Sequence, residues 1–248
     1  MSQVQSYERS LQRSSLSMTR ADRPQVFSAC GREWDLLEEV FAPVYSPSTD
    51  VALEFLNLTG QHSSYRNGSF LEIGCGAGVI AVMAALTGCD RVVASDINPR
   101  AVENAAANAH RHGMRGRVQA VHSDMFADAA TNDRFDTVFW SSNYVRGPQN
   151  YTYKTLHEAA YVDAGYRAHR AYIRDAPRRL TEGGSALLHF SSRGDLSELH
   201  RIADEYGHEL RVLQRLEVPE FEYGSDVVEH LLLEIVAPEA DLLLSSAV

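Results

Sequence analysis

Residues 70–78 read Phe-Leu-Glu-Ile-Gly-Cys-Gly-Ala-Gly, an apolar run that passes through three alternating glycines directly into a helical pattern. We expect a strand that carries Glu72 near its end, followed by a turn at Gly74, Gly76 and Gly78 where the backbone can approach a ligand closely. The spacing matches neither the Gly-x-Gly-x-x-Gly of dinucleotide sites nor the Gly-Lys-Ser/Thr ending of a phosphate-binding loop. The turn therefore predicts a nucleotide-type ligand that need not carry a phosphate.

A carboxylate follows the second predicted strand, residues 91–94. Asp96 lies 22 residues after Gly74, the placement at which a carboxylate accepts from both hydroxyls of a ribose. Ile97 follows it, and an Asn-Pro pair then begins a predicted helix over residues 101–111. The spacing indicates a nucleoside site at the ends of the first two strands.

Two further strands end in polar residues. The third, near 118–121, leads to Asp124 and Met125, which can accept from an adenine amino group and pack against its ring. The fourth, residues 135–140, runs directly into Ser141, Ser142, Asn143 and Tyr144. Because parallel strands place their carboxyl ends at one edge of a sheet, all four segments are expected at one site.

These ordered motifs resemble the class I S-adenosylmethionine-dependent methyltransferases, over roughly residues 66–236. In that family the glycine turn holds the methionine part of the cofactor, the carboxylate after the second strand holds the ribose, and the one after the third reads the adenine. The resemblance implies S-adenosylmethionine as methyl donor or substrate. The predicted cofactor-binding residues are Glu72, Gly74, Gly76, Gly78, Asp96, Ile97, Asp124, Met125 and Ser141.

The resemblance and the alternation of strands and helices imply an α/β fold, a doubly wound Rossmann-like seven-stranded sheet. A C-terminal antiparallel hairpin is expected from segments 209–218 and 227–236. Residues 1–58 are predicted to form an N-terminal helical arm or lid with a lead-in helix at 51–58, and residues 59–248 the catalytic domain. Residues 1–32 contain too few apolar side chains to form a core of their own, and residues 34–44 fit a short strand or helix.

Composition narrows the class of protein. No stretch is apolar for the roughly 18 residues that a membrane span needs, and a cytoplasmic protein is expected. Cys30, Cys75 and Cys89 have no paired spacing and are expected as free thiols. The ten histidines are scattered without ligand spacing, so no metal site is predicted.

Charge argues against nucleic acid as a partner. The net charge is −10, and an acidic chain repels phosphate backbones unless it concentrates a basic face. Arginines recur after the second helix and along residues 167–179, but Asp163 and Asp175 lie among them, as on a solvated helix face. A small-molecule substrate is therefore expected, and the oligomeric state stays open.

The branch within the family is indicated by two segments, residues 41–50 and 163–166. They are similar to the nitrogen methyltransferases of release factors and ribosomal RNA, which carry Asn-Pro-Pro-Tyr after the fourth strand. In that family the asparagine oxygen and a proline carbonyl hold the acceptor nitrogen. Here the aligned residues are Ser141, Ser142, Asn143 and Tyr144. A shift of two residues moves the amide by roughly 6–7 Å, so a planar amide or base amine is not expected as acceptor.

Three hypotheses of function remain. The first is methyl transfer to a small amino-acid-like or secondary-metabolite acceptor, with Ser141, Asn143 and Tyr144 as the catalytic set and Tyr144, His157 or Asp163 as proton acceptor. The second is cyclisation of the cofactor to azetidine-2-carboxylate and methylthioadenosine, as in a few methyltransferase-like cyclases of natural-product pathways that the chain also resembles. The third is a non-catalytic S-adenosylmethionine-binding subunit.

Overall fold

The computed structural model describes residues 4–59, 68–220 and 226–238. Its six α-helices are α1 (Tyr7–Thr19), α2 (Ser48–Phe55), α3 (Val79–Thr87), α4 (Pro99–Arg111), α5 (Arg167–Asp175) and α6 (Leu196–Glu205). Its strands are β1 (Val26–Ala29), β2 (Arg32–Asp35), β3 (Ser69–Ile73), β4 (Arg91–Asp96), β5 (Val118–His122), β6 (Phe135–Ser141), β7 (Arg146–Gly147), β8 (Asp163–Ala164), β9 (Leu180–Ser191), β10 (Glu209–Glu220) and β11 (Asp226–Val236).

Seven strands form one central sheet in the order β10-β11-β9-β6-β3-β4-β5. The pairings among β9, β6, β3, β4 and β5 are parallel, whereas β11 is antiparallel to both of its neighbours. The predicted α/β doubly wound sheet and its C-terminal antiparallel hairpin are confirmed. The predicted hairpin turn lies partly outside the described residues.

The sequence explains why β3 is central and α3 is buried. Four of the five residues of β3 are buried, as expected for a strand covered by helices on both faces. In α3, every residue from Val79 to Ala85 is buried, so this helix lies inside the molecule rather than along its surface. The strand and the helix together fix the position of the glycine turn between them.

Strand and helix bounds differ modestly from the predicted ones. β4 continues to Asp96, two residues beyond the predicted segment 91–94. The lead-in helix α2 spans Ser48–Phe55 rather than 51–58.

The three cysteines are free thiols, as predicted. Across the described ranges, no helix is long and apolar enough to cross a membrane.

The N-terminal segment corrects one expectation. Beyond the helix α1, residues 26–35 form a β1-β2 hairpin whose Phe27 and Trp34 are buried in the core shared with α2 and α3. This hairpin is not a loose arm. The sequence did not predict this hairpin, because its few apolar residues cannot form a core of their own and pack into a core formed by other parts of the chain.

Buried asparagines of α4 hold this hairpin. Asn108 accepts from the backbone N–H of Asp35 at 2.8 Å and donates to the carbonyl oxygens of Asp35 and Ala77. Asn104 accepts from the N–H of Leu37 and donates to the same Asp35 carbonyl, both at 2.8 Å. The core thus continues across the predicted division at residues 58/59, which stays a prediction.

Candidate functional site

A cavity of about 770 Å³ opens at the carboxyl ends of β3, β4, β5 and β6. This is the edge where ligands bind in open α/β sheets. The residues predicted from sequence that line it are Glu72, Gly74, Gly76, Asp96, Ile97, Asp124, Met125, Ser141, Asn143 and Tyr144. Residues from four separate strand ends are thus brought to one place, while Gly78 is not among them.

The three glycines of the turn have three different roles. All have positive φ, +67° at Gly74, +52° at Gly76 and +79° at Gly78. A Cβ on Gly78 would lie 2.7 Å from Ala105, so this glycine lets α3 and α4 pack closely. A Cβ on Gly74 would lie 3.2 Å from Trp140 Nε1, whereas one on Gly76 would meet no protein atom within 4 Å. Any side chain at position 76 would therefore extend into the cavity, and glycine leaves that space open. We call this part of the cavity wall the glycine cradle.

Asp96 ends β4 and is bound to the glycine turn. Its Oδ2 accepts from the N–H of Gly76 at 2.9 Å and its Oδ1 from the N–H of Asn98 at 2.8 Å. Burial raises the pKa of Asp96, and these two backbone hydrogen bonds act in the opposite direction. Each carboxylate oxygen keeps a further lone pair, so the group is suited to accept from a ribose diol.

Ile97 and Met125 line the cavity on either side of the predicted adenine position. Ile97 is 37% exposed, which is unusual for an isoleucine, and Met125 has a left-handed backbone with φ of +52°. Ser123 stabilises that bend by donating to the Met125 carbonyl at 2.9 Å. Asp124 is exposed between them. An apolar pair beside a carboxylate fits a planar base that carries an amino group.

Glu72 is the buried carboxyl of the site, at 2% exposure. Its Oε2 accepts from the backbone N–H of Ala81 in the first turn of α3 at 2.8 Å. Burial raises the pKa of Glu72 well above its ordinary value of 4.5, and the charge of Asp96 adds to this. A cationic ligand nearby, such as an ammonium, would favour the ionised form.

We expect Glu72→Gln to raise the stability of the ligand-free protein, increasingly so as pH rises. Because the pKa of Glu72 is higher in the folded chain, wild-type stability is full below 4.5 and is lost as pH rises toward the folded value. Each tenfold change in proton affinity corresponds to about 1.4 kcal/mol. Thermal unfolding between about pH 4 and pH 8 measures this difference, with the exposed Glu182→Gln as control. A pH-independent difference would contradict it.

The loop after β6 combines fixed and unsatisfied polar groups. Asn143 donates its Nδ2 hydrogen to the Ala159 carbonyl at 2.8 Å, and its Oδ1 is buried without a hydrogen-bond partner among the described residues. Tyr144 has a φ of +50°, and its carbonyl accepts from the Tyr166 hydroxyl at 2.6 Å. Asn143 and Tyr144 thus line the cavity, and the bond to Ala159 fixes the Asn143 amide.

The helix α1 and the 3-10 turn Leu156–Ala160 line one side of the cavity. Ser14 Oγ and His157 Nδ1 are 2.8 Å apart, and both side chains are buried. Burial lowers the pKa of His157 to about 4. Ser10 and Arg13 of the same helix line the cavity. The role of the N-terminal segment as a lid stays a prediction.

Two of the three predicted proton acceptors are engaged inside the protein. His157 contacts Ser14, as described above. Asp163 accepts from the backbone N–H groups of Ala168 and His169, and its Oδ2 lies 2.7 Å from His169 Nδ1. These bonds fix the start of α5. Their catalytic use stays a prediction.

Sequence reasoning missed several residues at the cavity. Arg13 and Arg193 line it from α1 and from the loop after β9, and His189 lies behind Ser141. The one available signal was a histidine inside an apolar strand, Leu-Leu-His-Phe at 187–190. The arginines have no local signal because they reach the site only through the fold.

Comparison with known proteins agrees with this geometry. Residues 70–162 match the methyltransferase domain family. A putative protein N5-glutamine methyltransferase of Methanocaldococcus jannaschii is 27% identical over 180 residues, which cover 71% of this chain and 86% of that protein. The ribosomal protein L11 methyltransferase of Pelotomaculum thermopropionicum is 48% identical over 58 residues, or 23% of this chain and only 19% of that protein.

Solved structures share the fold at low sequence identity. A tRNA methyltransferase of M. jannaschii superposes with a TM-score of 0.57 at 16% identity, covering 86% of this chain and 56% of that one. A precorrin-8w decarboxylase of Methanobacterium thermoautotrophicum gives a TM-score of 0.54 at 16% identity, covering 83% and 97%. At this identity the likeness concerns the fold alone.

The sheet order is that of the Rossmann-like α/β class, and the open glycine turn, Asp96 and Asp124 lie together at one cavity of this sheet. With these matches, the chain is similar over most of its length to the S-adenosylmethionine-dependent methyltransferases. It is a methyltransferase, and its cofactor is S-adenosylmethionine. Gly76, Asp96, Ile97 and Met125 are suited to hold that cofactor.

Proposed function

We propose that the protein transfers a methyl group to a small amino-acid-like or secondary-metabolite acceptor held by Asn143 and Tyr144. The observation that carries this proposal is the buried Asn143 Oδ1, which has no hydrogen-bond partner among the described residues. A buried acceptor left unsatisfied costs about 1–3 kcal/mol, so a ligand that donates an N–H or O–H there is favoured. The Nδ2 bond to Ala159 prevents the amide from turning away.

The size and the lining of the cavity support a small acceptor. At about 770 Å³ the cavity lies in the upper part of the range of roughly 300–1,000 Å³ typical of ligand sites, leaving room for a second small molecule beside the cofactor. The helix α1 lines one side of the cavity and contacts the 3-10 turn through Ser14 and His157. Arg13 and Arg193 line this region, where a guanidinium can bind a carboxylate.

The reaction needs positioning more than acid–base chemistry. Bound S-adenosylmethionine supplies an electrophilic methyl group on a sulfonium. The residues of this chain orient the acceptor through Asn143, exclude water with α1, and take up a proton where the acceptor must lose one.

Relatives with known names suggest the main competitor, a protein or RNA acceptor. The M. jannaschii relative is named as a glutamine methyltransferase of proteins. The solved structure with the similar fold is named as a tRNA methyltransferase. Against that stand the net charge of −10 and the position of α1 along one side of the cavity.

The experiment identifies the nucleoside product. The purified protein is incubated with S-adenosylmethionine alone, and then with 3-hydroxypropionate, succinamate or β-alanine, which present a hydroxyl, an amide or an amine beside a carboxylate. The proposal is supported if adenosylhomocysteine forms only when one of these probes is present. Methylthioadenosine from the cofactor alone would indicate cyclisation instead, and turnover only with a release factor, ribosomal protein or tRNA would overturn the small acceptor.

We expect Asn143→Ala to lower kcat by roughly 10–100-fold with little change in cofactor affinity, because a misplaced acceptor loses the attack geometry. Tyr144→Phe should change kcat in the same direction. Steady-state kinetics and calorimetric titration of S-adenosylmethionine separate the two quantities. The exposed Asn150→Ala is the matched control. A pure loss of cofactor affinity would show that Asn143 serves the cofactor rather than the acceptor.

A further inference from the structure

A chain of hydrogen bonds leads from the cavity into the sheet. Ser141 Oγ lies 3.0 Å from His189 Nδ1, and His189 Nε2 lies 2.9 Å from His230 Nδ1. The three residues belong to adjacent strands β6, β9 and β11, and Ser141 and His189 are register partners. Ser141 lines the cavity, whereas His189 and His230 are 0% and 1% exposed. The chain therefore joins the reaction site to a fully buried pair.

Both imidazoles are uncharged. Burial lowers the pKa of His189 well below its ordinary value, and the neighbouring His230 adds to this effect. Burial alone lowers the pKa of His230 to about 4. A neutral imidazole has one N–H donor and one acceptor nitrogen, so the chain has a direction.

The hydrogen bonds of this series can all point in one direction or all in the other, and the two arrangements differ only in the tautomers of the histidines. In one, Ser141 donates to His189 Nδ1, and the N–H at His189 Nε2 donates to His230 Nδ1. In the other, His230 donates to His189, and His189 donates to Ser141. Ser141 thus presents either a lone pair or a hydrogen to the cavity without placing a charge in the core.

The Tyr144 hydroxyl does not interrupt this chain. It lies 3.4 Å from His189 Nδ1 and 3.3 Å from Nε2, farther than Ser141 Oγ at 3.0 Å and His230 Nδ1 at 2.9 Å. The shorter separations favour Ser141 and His230 as the partners of the two nitrogens. The tyrosine and imidazole rings pack edge to face, with centroids 5.4 Å apart.

We propose that Ser141, His189 and His230 form a proton relay that removes the acceptor's hydrogen as the methyl group is transferred. The new bond forms between the acceptor atom and the methyl carbon while the carbon–sulfur bond breaks, its electron pair remaining on sulfur. The acceptor's proton passes to Ser141 Oγ, the Ser141 proton to His189 Nδ1, and the proton of His189 Nε2 to His230 Nδ1. The positive charge that leaves the sulfonium thus arrives on His230.

This inference rests on the proposed function, because it needs an acceptor that loses a proton, and it narrows the acceptor's chemistry. The low pKa of His230 allows it to take a proton only from a stronger acid. A methylated hydroxyl is such an acid before it loses its proton, whereas a methylated alkyl amine keeps the proton and a carboxylate has none to lose. Among the three probes above, the hydroxyl is therefore favoured, since the loop after β6 also disfavours a planar amide.

The relay is tested with cofactor analogues alone, so that its outcome does not depend on the acceptor. Sinefungin carries an amine in place of the methyl-bearing sulfonium, and it therefore offers N–H donors at that position. Adenosylhomocysteine carries a thioether there, which has no hydrogen-bond donor. Nitrogen-15 NMR of the histidine rings reports which ring nitrogen carries the hydrogen. We expect sinefungin, relative to adenosylhomocysteine, to shift both His189 and His230 toward the arrangement in which Ser141 donates.

The matched variants separate a relay from mere packing. In Ser141→Ala, neither histidine should distinguish the two analogues. In Ser142→Ala both should still respond, because Ser142 Oγ donates to the backbone oxygen of His189 and, within the described ranges, to no side chain. Three results would overturn the relay. They are a response confined to His189, a response that survives in Ser141→Ala, and no response in the wild type with both analogues bound. Failure of the small-molecule probes with an intact analogue response would count against the proposed function alone.

Discussion

Replacing Gly76 by valine is expected to abolish S-adenosylmethionine binding in a chain that still folds. The ideal Cβ at this position meets no protein atom within 4 Å, so the added side chain enters the cavity rather than the core. A ligand held against the backbone there loses its contacts, and the φ of +52° strains a β-branched residue. Calorimetric titration should show at least a hundredfold loss, about 2.7 kcal/mol or more.

The matched control is Gly113→Val. Gly113 also has a positive φ, +72°, and open space at its Cβ, but it lies after α4, away from the cavity. This variant reproduces the backbone strain without the cavity clash. Circular dichroism should show both variants folded. If Gly76→Val binds the cofactor as the wild type does, the turn serves only to connect β3 and α3.

Asp96→Ala is expected to weaken cofactor binding by roughly 2–3 kcal/mol, or about 30–150-fold. The ribose hydroxyls lose a charged acceptor, and the N–H groups of Gly76 and Asn98 lose the carboxylate that holds the turn in place. The variant therefore acts on the cradle as well as on the ribose. Affinity is measured by calorimetry in the folded variant.

Asp133→Ala serves as the control, since Asp133 is exposed, pairs with Arg91 at 2.7 Å and does not line the cavity. It should leave the affinity unchanged. Unaltered binding in folded Asp96→Ala would remove the ribose assignment. The cofactor affinity of Asp96→Asn should lie between those of the wild type and Asp96→Ala, because asparagine keeps one acceptor oxygen without the charge.

The residues predicted for the cofactor lie together at one cavity because their signals are local. Gly74, Gly76 and Asp96 each lie at or just after the end of a buried strand, and the end of a strand in a parallel sheet has a fixed place. The same reasoning placed Gly78 at the ligand, but the structure uses it for the contact between α3 and α4, since the approach of Ala105 depends on the packing of two helices.

The acceptor side was harder to predict because it is assembled over long distances. His189 and His230 lie 48 and 41 residues from Ser141 and His189, respectively, along the chain, and only the strand order brings the three together. The β1-β2 hairpin was missed for a related reason. Its hold on the domain comes from the buried Asn104 and Asn108, residues that read from sequence as the polar face of a helix.

The face that α1 turns inward consists of Ser10, Ser14 and Ser17, all buried. Burying a leucine contributes roughly 1.5–3 kcal/mol, and hydroxyls contribute little because water replaces their hydrogen bonds on release. Ser17 Oγ even lacks a partner within the described residues. The helix packs on the 3-10 turn Leu156–Ala160 with little apolar burial, and its amide hydrogens should exchange faster than those of β3. Detachment of this one helix, rather than the breathing of the whole domain, would then set how quickly the product leaves.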